Sequence, residues 1–408
     1  MATKLAEPVI EKDGPFREAV LVRSSAVSAS GVRCASSASG NLAELIAHLS
    51  AGLGGGPFQH IVAYFSTDYD PEALMAALAA AFPGVPLSGC STAGAITPGG
   101  MIDDGVLLIA FPTSGFAVHS GVVENVSEFG VERATDLARR LTGRLFVDGA
   151  ARRKPAFAMM LVDGTSHTEE TIVAAVHWAI EHVPLIGGSA GDGLTFRGAV
   201  VVHEGRVLTD AAVLLLIETE IPFRVFKTQN FEPTPIKLVV TAADTERRIV
   251  KELNAEPAAR EYASAIGLLP DDLGPFSFAS YPLVVKVGGD YYCRSIRKMN
   301  EDGSLSFFCA IDEGLVFTVA RPQDMLRSTG EALEEIGEEI GGIDLVIGFD
   351  CVLRRLDAEN RQIRHQMEEI YRRYGVVGFH TYGEQFNAMH LNQTLTGIAF
   401  GKSASHAG

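Results

Sequence analysis

VPLSGCSTAGAI (residues 85–96), VPLIGGSAGDGL (183–194) and VVGFHTYGEQ (376–385) are three versions of one run. Each passes from a short apolar stretch into a small-residue corner. A loop follows, then a second apolar stretch: VLLIAF (106–111), AAVLLLI (211–217) and LNQTLTGIAF (391–400). Self-similarity on this scale decides the fold, because repeats that cannot bury their own faces must pack on one another.

The repeat extends upstream. Strand-like runs at 60–65, 156–162 and 343–349 precede helical stretches at 71–82, 168–182 and 357–374. The unit is therefore strand, helix, strand, corner, strand. Strands alternating with helices predict an α/β fold. We expect a layered arrangement of repeated β-α-β-β units, with sheets packed together, helices outside and two intimately associated halves. The strands are nearly continuous apolar runs, as expected when both faces are covered.

Local signals support the helices. Ser166 followed by Glu169 has the spacing of a capping box. Ile363, Met367, Ile370 and Tyr374 mark one helical face, and Gly375 stands where a C-cap glycine belongs. A further helix from about Asp324 carries Leu326, Leu333, Ile336 and Ile340 and stops at Gly341-Gly342. TQNFEPTP (228–235) interrupts the apolar pattern with two prolines and predicts a boundary near 221–235. The expected division is a flexible segment 1–18, a first half 19–225, a second half 226–401 and a disordered tail 402–408.

At about 150 residues per domain, 408 residues allow two or three domains. A net charge of -16 argues against nucleic acid and anionic membranes, whose binding is dominated by phosphate charge. Five cysteines with no CxxC pattern read as reduced thiols rather than a disulfide framework. The N-terminal stretch shows no secretory apolar segment, and the longest apolar run (73–82) falls short of the ~18 residues a spanning helix needs. A cytoplasmic protein is expected.

GCSTAGAI, DGTSHTEE (163–170) and GGSAGDG, followed by CVLRRL (351–356), GFHTYGEQ and HLNQTLTGIAF (390–400), occur in this order. The set resembles the FIST family of sensory domains over roughly residues 20–401, with a FIST N and a FIST C half. A stand-alone protein of this kind is similar to the nitric-oxide-sensing, haem-binding (NosP-like) group. The resemblance implies haem b as cofactor, signalling to a histidine kinase of a two-component system, and no enzymatic activity. The family as a whole implies small ligands such as amino acids, and a haem-free sensor of a small polar ligand is the alternative. His380 departs from the Tyr or Ser that many members carry there.

A haem sensor needs a neutral imidazole on iron and an open sixth position. His390, in the motif before the last strand, is the candidate iron ligand, with His380 at the corner and His167 at a helix start as lesser ones. Each imidazole could equally serve as a hydrogen-bonding core group. No CxxCH exists, so any haem would be held non-covalently. Arg197, Arg294 and Arg297 are candidates for the propionates. Ser91, Ser189, Asp192, Thr381, Tyr382, Glu384 and Asn392 fall in corners that the repeats should bring together, and are expected to line a shared ligand pocket. Corner glycines permit close backbone approach or amide capture of a ligand. GGSAGDG lacks the Lys-Ser/Thr of a P-loop and leads to a strand rather than a helix, which excludes nucleotide binding. Cys90 would need an adjacent imidazole to act as a nucleophile. Asp163, Glu169 and Glu170 could suggest a metal site or a charged helix start.

Overall fold

Two of the helices begin where a carboxylate receives a first-turn amide hydrogen. Asp70 accepts from the Ala73 amide at 2.8 Å with Pro71 next in line, and Asp324 accepts from the Arg327 amide at 3.1 Å. In the computed structural model, which describes residues 23–145, 154–195 and 198–402, one long unit recurs three times. The first comprises β1 (Ser24–Val27), β2 (Arg33–Ser37), α1 (Leu42–Leu53), β3 (Phe58–Phe65), α2 (Pro71–Ala81), β4 (Leu87–Ser91), a hairpin of β5 (Ala95–Thr97) and β6 (Gly100–Ile102), and β7 (Val106–Pro112). The second comprises β8 (Phe116–Glu124), α3 (Val126–Arg144), β9 (Ala156–Asp163), α4 (Glu169–Ala179), β10 (Leu185–Ala190), a hairpin of β11 (Val201–His203) and β12 (Arg206–Leu208), and β13 (Ala211–Thr219).

The third unit opens with β14 (Phe223–Gln229) and is then interrupted by an insertion. The insertion holds β15 (Phe231–Asp244), β16 (Ile249–Leu253), β17 (Glu256–Pro257), α5 (Ala258–Ile266), α6 (Pro275–Ser280), β18 (Leu283–Val287), β19 (Asp290–Arg294), β20 (Ile296–Met299), β21 (Leu305–Phe307) and β22 (Val316–Pro322). The unit resumes with α7 (Met325–Ile340), β23 (Ile343–Cys351), α8 (Val352–Asn360), α9 (Arg364–Arg373), β24 (Val376–Thr381), a hairpin of β25 (Glu384–Phe386) and β26 (Met389–Leu391), and β27 (Thr394–Gly401).

Each unit forms its own sheet but gives its hairpin away. β5 pairs with β24, β25 pairs with β10 and β11 pairs with β4, so the three units interlock in a ring. Within each sheet a parallel pair lies at the centre: β3 with β4, β9 with β10, β23 with β24. A glycine stands at the same place in each pair. A Cβ on Gly89, Gly187 or Gly378 would lie 1.9, 1.9 or 1.8 Å from the carbonyl oxygen of Ala63, Met160 or Gly348. Only glycine fits that approach, which is why the three corners share it.

The inner faces of the three sheets meet in one core. Tyr64 of the first sheet packs on Phe379 of the third with ring centroids 4.5 Å apart, and Phe157 of the second packs on Phe400 at 5.9 Å. The outer faces are covered by α1 and α2, by α3 and α4, and by α7 and α9. The inserted sheet has a separate core around Tyr262, Phe278, Phe307 and Phe317. The layered α/β expectation is met. Among the described residues no helix is long and apolar enough to cross a membrane.

Several local expectations need correction. The apolar pattern that TQNFEPTP interrupts is nonetheless strand: 223–229 pairs with β27, and β15 runs through Pro233 by a register shift before Lys237. The helix expected over 357–374 is two, because Gln362 takes a left-handed φ of +58° between α8 and α9. α4 starts at Glu169 without a side-chain cap, and Ser166 bonds Thr168 at 3.0 Å instead. The expected flexible segment 1–18 and residues 403–408 of the expected tail lie outside the described residues, as does Arg197.

Candidate ligand-binding site

The corners that follow the central strands converge. The His380 amide donates to the Gly94 carbonyl and the Ala93 amide to the His380 carbonyl. The Ser189 amide donates to the Gly383 carbonyl and the Tyr382 amide to the Ser189 carbonyl. The Gly191 amide donates to the Ser91 carbonyl, closing the ring. The candidate side chains are thereby gathered, and all are buried.

They bond chiefly to each other. Ser91 Oγ accepts from the Val200 amide at 3.0 Å, and Ser189 Oγ accepts from Gln385 Nε2 at 2.9 Å. Tyr382 Oη donates to the Asp192 carboxylate, which also accepts from the Thr195 hydroxyl and, at 2.9 Å, the Gly198 amide. Asn392 Nδ2 donates to the Tyr382 carbonyl at 3.2 Å, and its Oδ1 has no partner. Of the nine candidates, Tyr382 alone lines the cleft described below; His390, His380, Thr381, Glu384, Asn392, Ser91, Ser189 and Asp192 are not among its lining residues. The corners come together as expected, joined by backbone hydrogen bonds, and of the candidates Tyr382 reaches this cleft.

Glu384 is wholly buried. It accepts from the hydroxyls of Thr381 and Thr394 and from the Thr394 amide. Burial pushes its carboxyl up to about 8, against the pull of those donors. A carboxyl raised in the folded state contributes stability that is complete below its unfolded value of ~4.3 and is lost as pH rises towards the folded value. Urea denaturation should therefore show wild type losing stability relative to Glu384→Gln between pH 5 and 8. Parallel curves would contradict a protonated Glu384.

Burial depresses His390 to about 4, so its imidazole is neutral at pH 7, with Nδ1 unpartnered. Burial also lowers His380 well below the usual histidine range; its Nε2 has no partner and its Nδ1 lies 3.6 Å from Asp350. Neutral imidazole is the right chemistry for iron. The space is not right. The His390 ring lies flush over Gly383, its Cε1 2.2 Å from where a Cβ on that glycine would stand. The Nε2 edge of His390 is thereby closed to a macrocycle. Among the described residues no group of three or more His, Cys, Asp or Glu side chains could hold a metal ion. Cys90 is fully buried in the shared core, its thiol raised well above the usual range by burial; it packs as a small hydrophobe.

A cleft does open beside Tyr382. Its walls are Gly164, Thr165 and His167 from the β9–α4 loop, Tyr382 from the third corner, and Arg248, Arg297, Phe307 and Phe308 from the inserted sheet. About 40 Å³ of it is open to water-sized solutes, room for a few waters. Small-molecule pockets usually occupy roughly 300–1,000 Å³, so a guest of that class enters only if the cleft walls part. Arg248, with a left-handed φ of +55°, closes its base. It donates to the His167 carbonyl at 2.7 Å, to Glu169 at 3.0 Å and to Glu170 at 2.8 Å. Glu170 also accepts from the Ala310 amide at 2.7 Å. The paired glutamates thus tie α4 to the inserted sheet from the helix's first turn, where they also stand as the expected acidic residues of a helix start. Arg248 was not singled out by sequence reasoning, for its segment TERRIV (245–250) has no local mark.

Comparison with known proteins gives two family matches: a FIST N domain over residues 59–256 and a FIST C domain over 258–387. The chain is also similar to uncharacterized protein MJ1623 of Methanocaldococcus jannaschii, 24% identical over 361 residues, covering 78% of this chain and 68% of that protein. The division between the two matches falls inside the inserted sheet, at β17.

Proposed function

The chain is a FIST-domain protein, and on that premise we propose that it is a sensor whose small polar ligand enters the cleft between the β9–α4 loop and the inserted sheet. FIST domains are sensory, ligand-binding domains of signalling proteins. The observation that carries the proposal is the composition of the cleft. It sets two guanidinium groups, a threonine hydroxyl, a tyrosine and an imidazole around one small space, and the walls come from both matched domains. A guest bridging Thr165 or His167 to Arg297 would change how the inserted sheet sits on α4. Transmission of that change to a histidine kinase belongs to this reading.

The test is a thermal-shift screen of amino acids and related small polar solutes, repeated on Arg297→Ala. A ligand at 100 times its Kd adds about 2.7 kcal/mol to folded-state stability. The Tm should rise for wild type and not for the variant. A screen in which every ligand that raises the wild-type Tm raises that of Arg297→Ala equally would move the site elsewhere.

The haem and nitric-oxide reading rests on the neutral, part-unpartnered imidazoles of His390 and His380. It requires the interlocked corners to separate. Reconstitution with haem tests it: a Soret band that shifts with nitric oxide and changes in His390→Ala would favour it over the polar-ligand reading.

A further inference from the structure

The two walls of the cleft belong to different parts of the molecule. Gly164, Thr165, His167 and Tyr382 come from the repeating units, whereas Arg248, Arg297, Phe307 and Phe308 come from the inserted sheet. The contacts that join those parts therefore decide whether the cleft can widen.

The insertion leaves and rejoins the third unit at one place. Phe231 opposes Pro322 where β15 departs and β22 returns, and the Gln323 amide donates to the Asn230 carbonyl at 2.7 Å. Arg354 grips the Asn230 side chain from the third unit at 2.7 Å. The same unit carries the insertion along one flank. There α6 lies on α8, with the Ser280 hydroxyl donating to Asp357 at 3.4 Å, and Gln393 donates to the Phe278 carbonyl at 3.2 Å. Arg294 donates to the His390 carbonyl at 3.4 Å. Phe308, partly buried, packs at the edge of a small cluster with Val352, Leu353 and Tyr382.

The second unit holds the insertion differently. The chain does not pass between them, and among the described residues no apolar cluster spans both. Their bond is polar and centred on one side chain. Arg248 keeps its Nη1 within the insertion, donating to the Phe308 carbonyl. Its Nη2 reaches across to the His167 carbonyl, Glu169 and Glu170. The Ala310 amide adds a second link to Glu170. Such a contact opens at low cost, because two carboxylates and a guanidinium regain hydration as they part, which largely offsets the attraction they lose. Apolar surfaces drawn apart gain nothing comparable from water.

We infer that the inserted sheet is a hinged lid on this cleft. It turns about the paired crossing at Asn230 and Gln323, stays seated on α8, and is latched to α4 by Arg248. Release of Nη2 from the second unit swings Arg248, Phe307 and Phe308 away from Thr165 and His167 and makes room for a solute. Its separate core lets the insertion move as one piece, as in other hinge closures. The lid takes its purpose from the ligand-binding reading of the cleft, but its test needs no ligand.

Double electron–electron resonance on the full chain reads the motion. Nitroxides are placed at Trp178→Cys on α4 and Lys251→Cys on β16, both exposed, while the five native cysteines are buried and escape labelling. Wild type should show one dominant distance with a minor longer component. Arg248→Met leaves Glu169 and Glu170 without their counter-charge when closed, and should raise the longer component at least tenfold. A second pair inside the insertion, Lys251→Cys with Lys286→Cys, should keep its distance in both proteins. Where Arg248→Met does not fold, Glu170→Ala removes one latch contact and the acceptor of the Ala310 amide, and should raise the longer component at least threefold. A latch variant that keeps the single wild-type distance overturns the lid. Broadening of the pair inside the insertion overturns it too, for the sheet would then unfold rather than turn. Either result leaves the ligand-binding reading to the thermal-shift screen.

Discussion

Gly378→Ala should leave no folded protein at 25 °C, with loss of far-UV dichroism and of soluble expression. The added Cβ would sit 1.8 Å from the Gly348 carbonyl oxygen and 2.8 Å from its carbon. Both atoms are backbone of β23, the strand at the heart of the third sheet. A flexible side chain could swing away, but this strand is pinned by β27 on its other side. Opening the pair would break the parallel ladder and lift Phe379 out of the shared core. Losses above ~4–5 kcal/mol are exceptional for one substitution and are comparable to the whole stability of many domains. Gly89→Ala and Gly187→Ala meet the same obstacle at 1.9 Å and should behave alike. Gly330→Ala, on α7 with nothing within 4 Å, is the control and should be neutral or stabilising by up to ~1 kcal/mol. A Gly378→Ala protein with wild-type Tm would mean that β23 and β24 do not pair in this register.

Arg354→Met should cost about 3–5 kcal/mol by urea denaturation, the usual loss when one partner leaves a buried ion pair. Arg354, on α8, donates to Asp350 at 2.7 Å, to Asn230 at 2.7 Å and to Thr329 at 3.0 Å. Tyr371 of α9 donates to the other Asp350 oxygen at 2.9 Å. One guanidinium thus joins α7, α8, β23 and the β14–β15 link, and through Asp350 it reaches α9. Removing it strands the Asp350 carboxylate, already raised by burial, without its main counter-charge. Asp350→Asn in the Arg354→Met background should restore part of the loss, because the leftover charge disappears with it. If the double variant is less stable than Arg354→Met, the cost lies in packing rather than in the stranded charge.

The gathering of the corners was legible because three copies of one pattern must place equivalent residues equivalently. The aligned Gly89, Gly187 and Gly378 were visible as corner glycines, although their reason, a strand carbonyl pressing on each, was not. Asp324 and Gly341 bounded α7 as expected, since caps act within a few residues. The break of α8 from α9 had no such mark: Arg361, Gln362 and Ile363 include neither Gly nor Pro. The break reorients the chain so that Arg364 reaches Asp103 at 3.2 Å on the first unit's hairpin.

Ser166 and Glu169 show how a correct spacing can mislead. A capping box is one way to satisfy the amides at a helix start. Here a guanidinium from a segment 79 residues away claims the Glu169 carboxylate instead. A buried charge outbids a neutral amide for the same oxygen.

The amino-acid order alone determined that this chain is an α/β protein of three repeating units whose glycine corners meet, because periodicity and glycine geometry are local properties. Tertiary structure alone decided which unit receives each hairpin, and that a cleft opens at Arg248. Strand pairing and buried charge depend on which distant segments exclude water together, and sequence spacing carries no record of that.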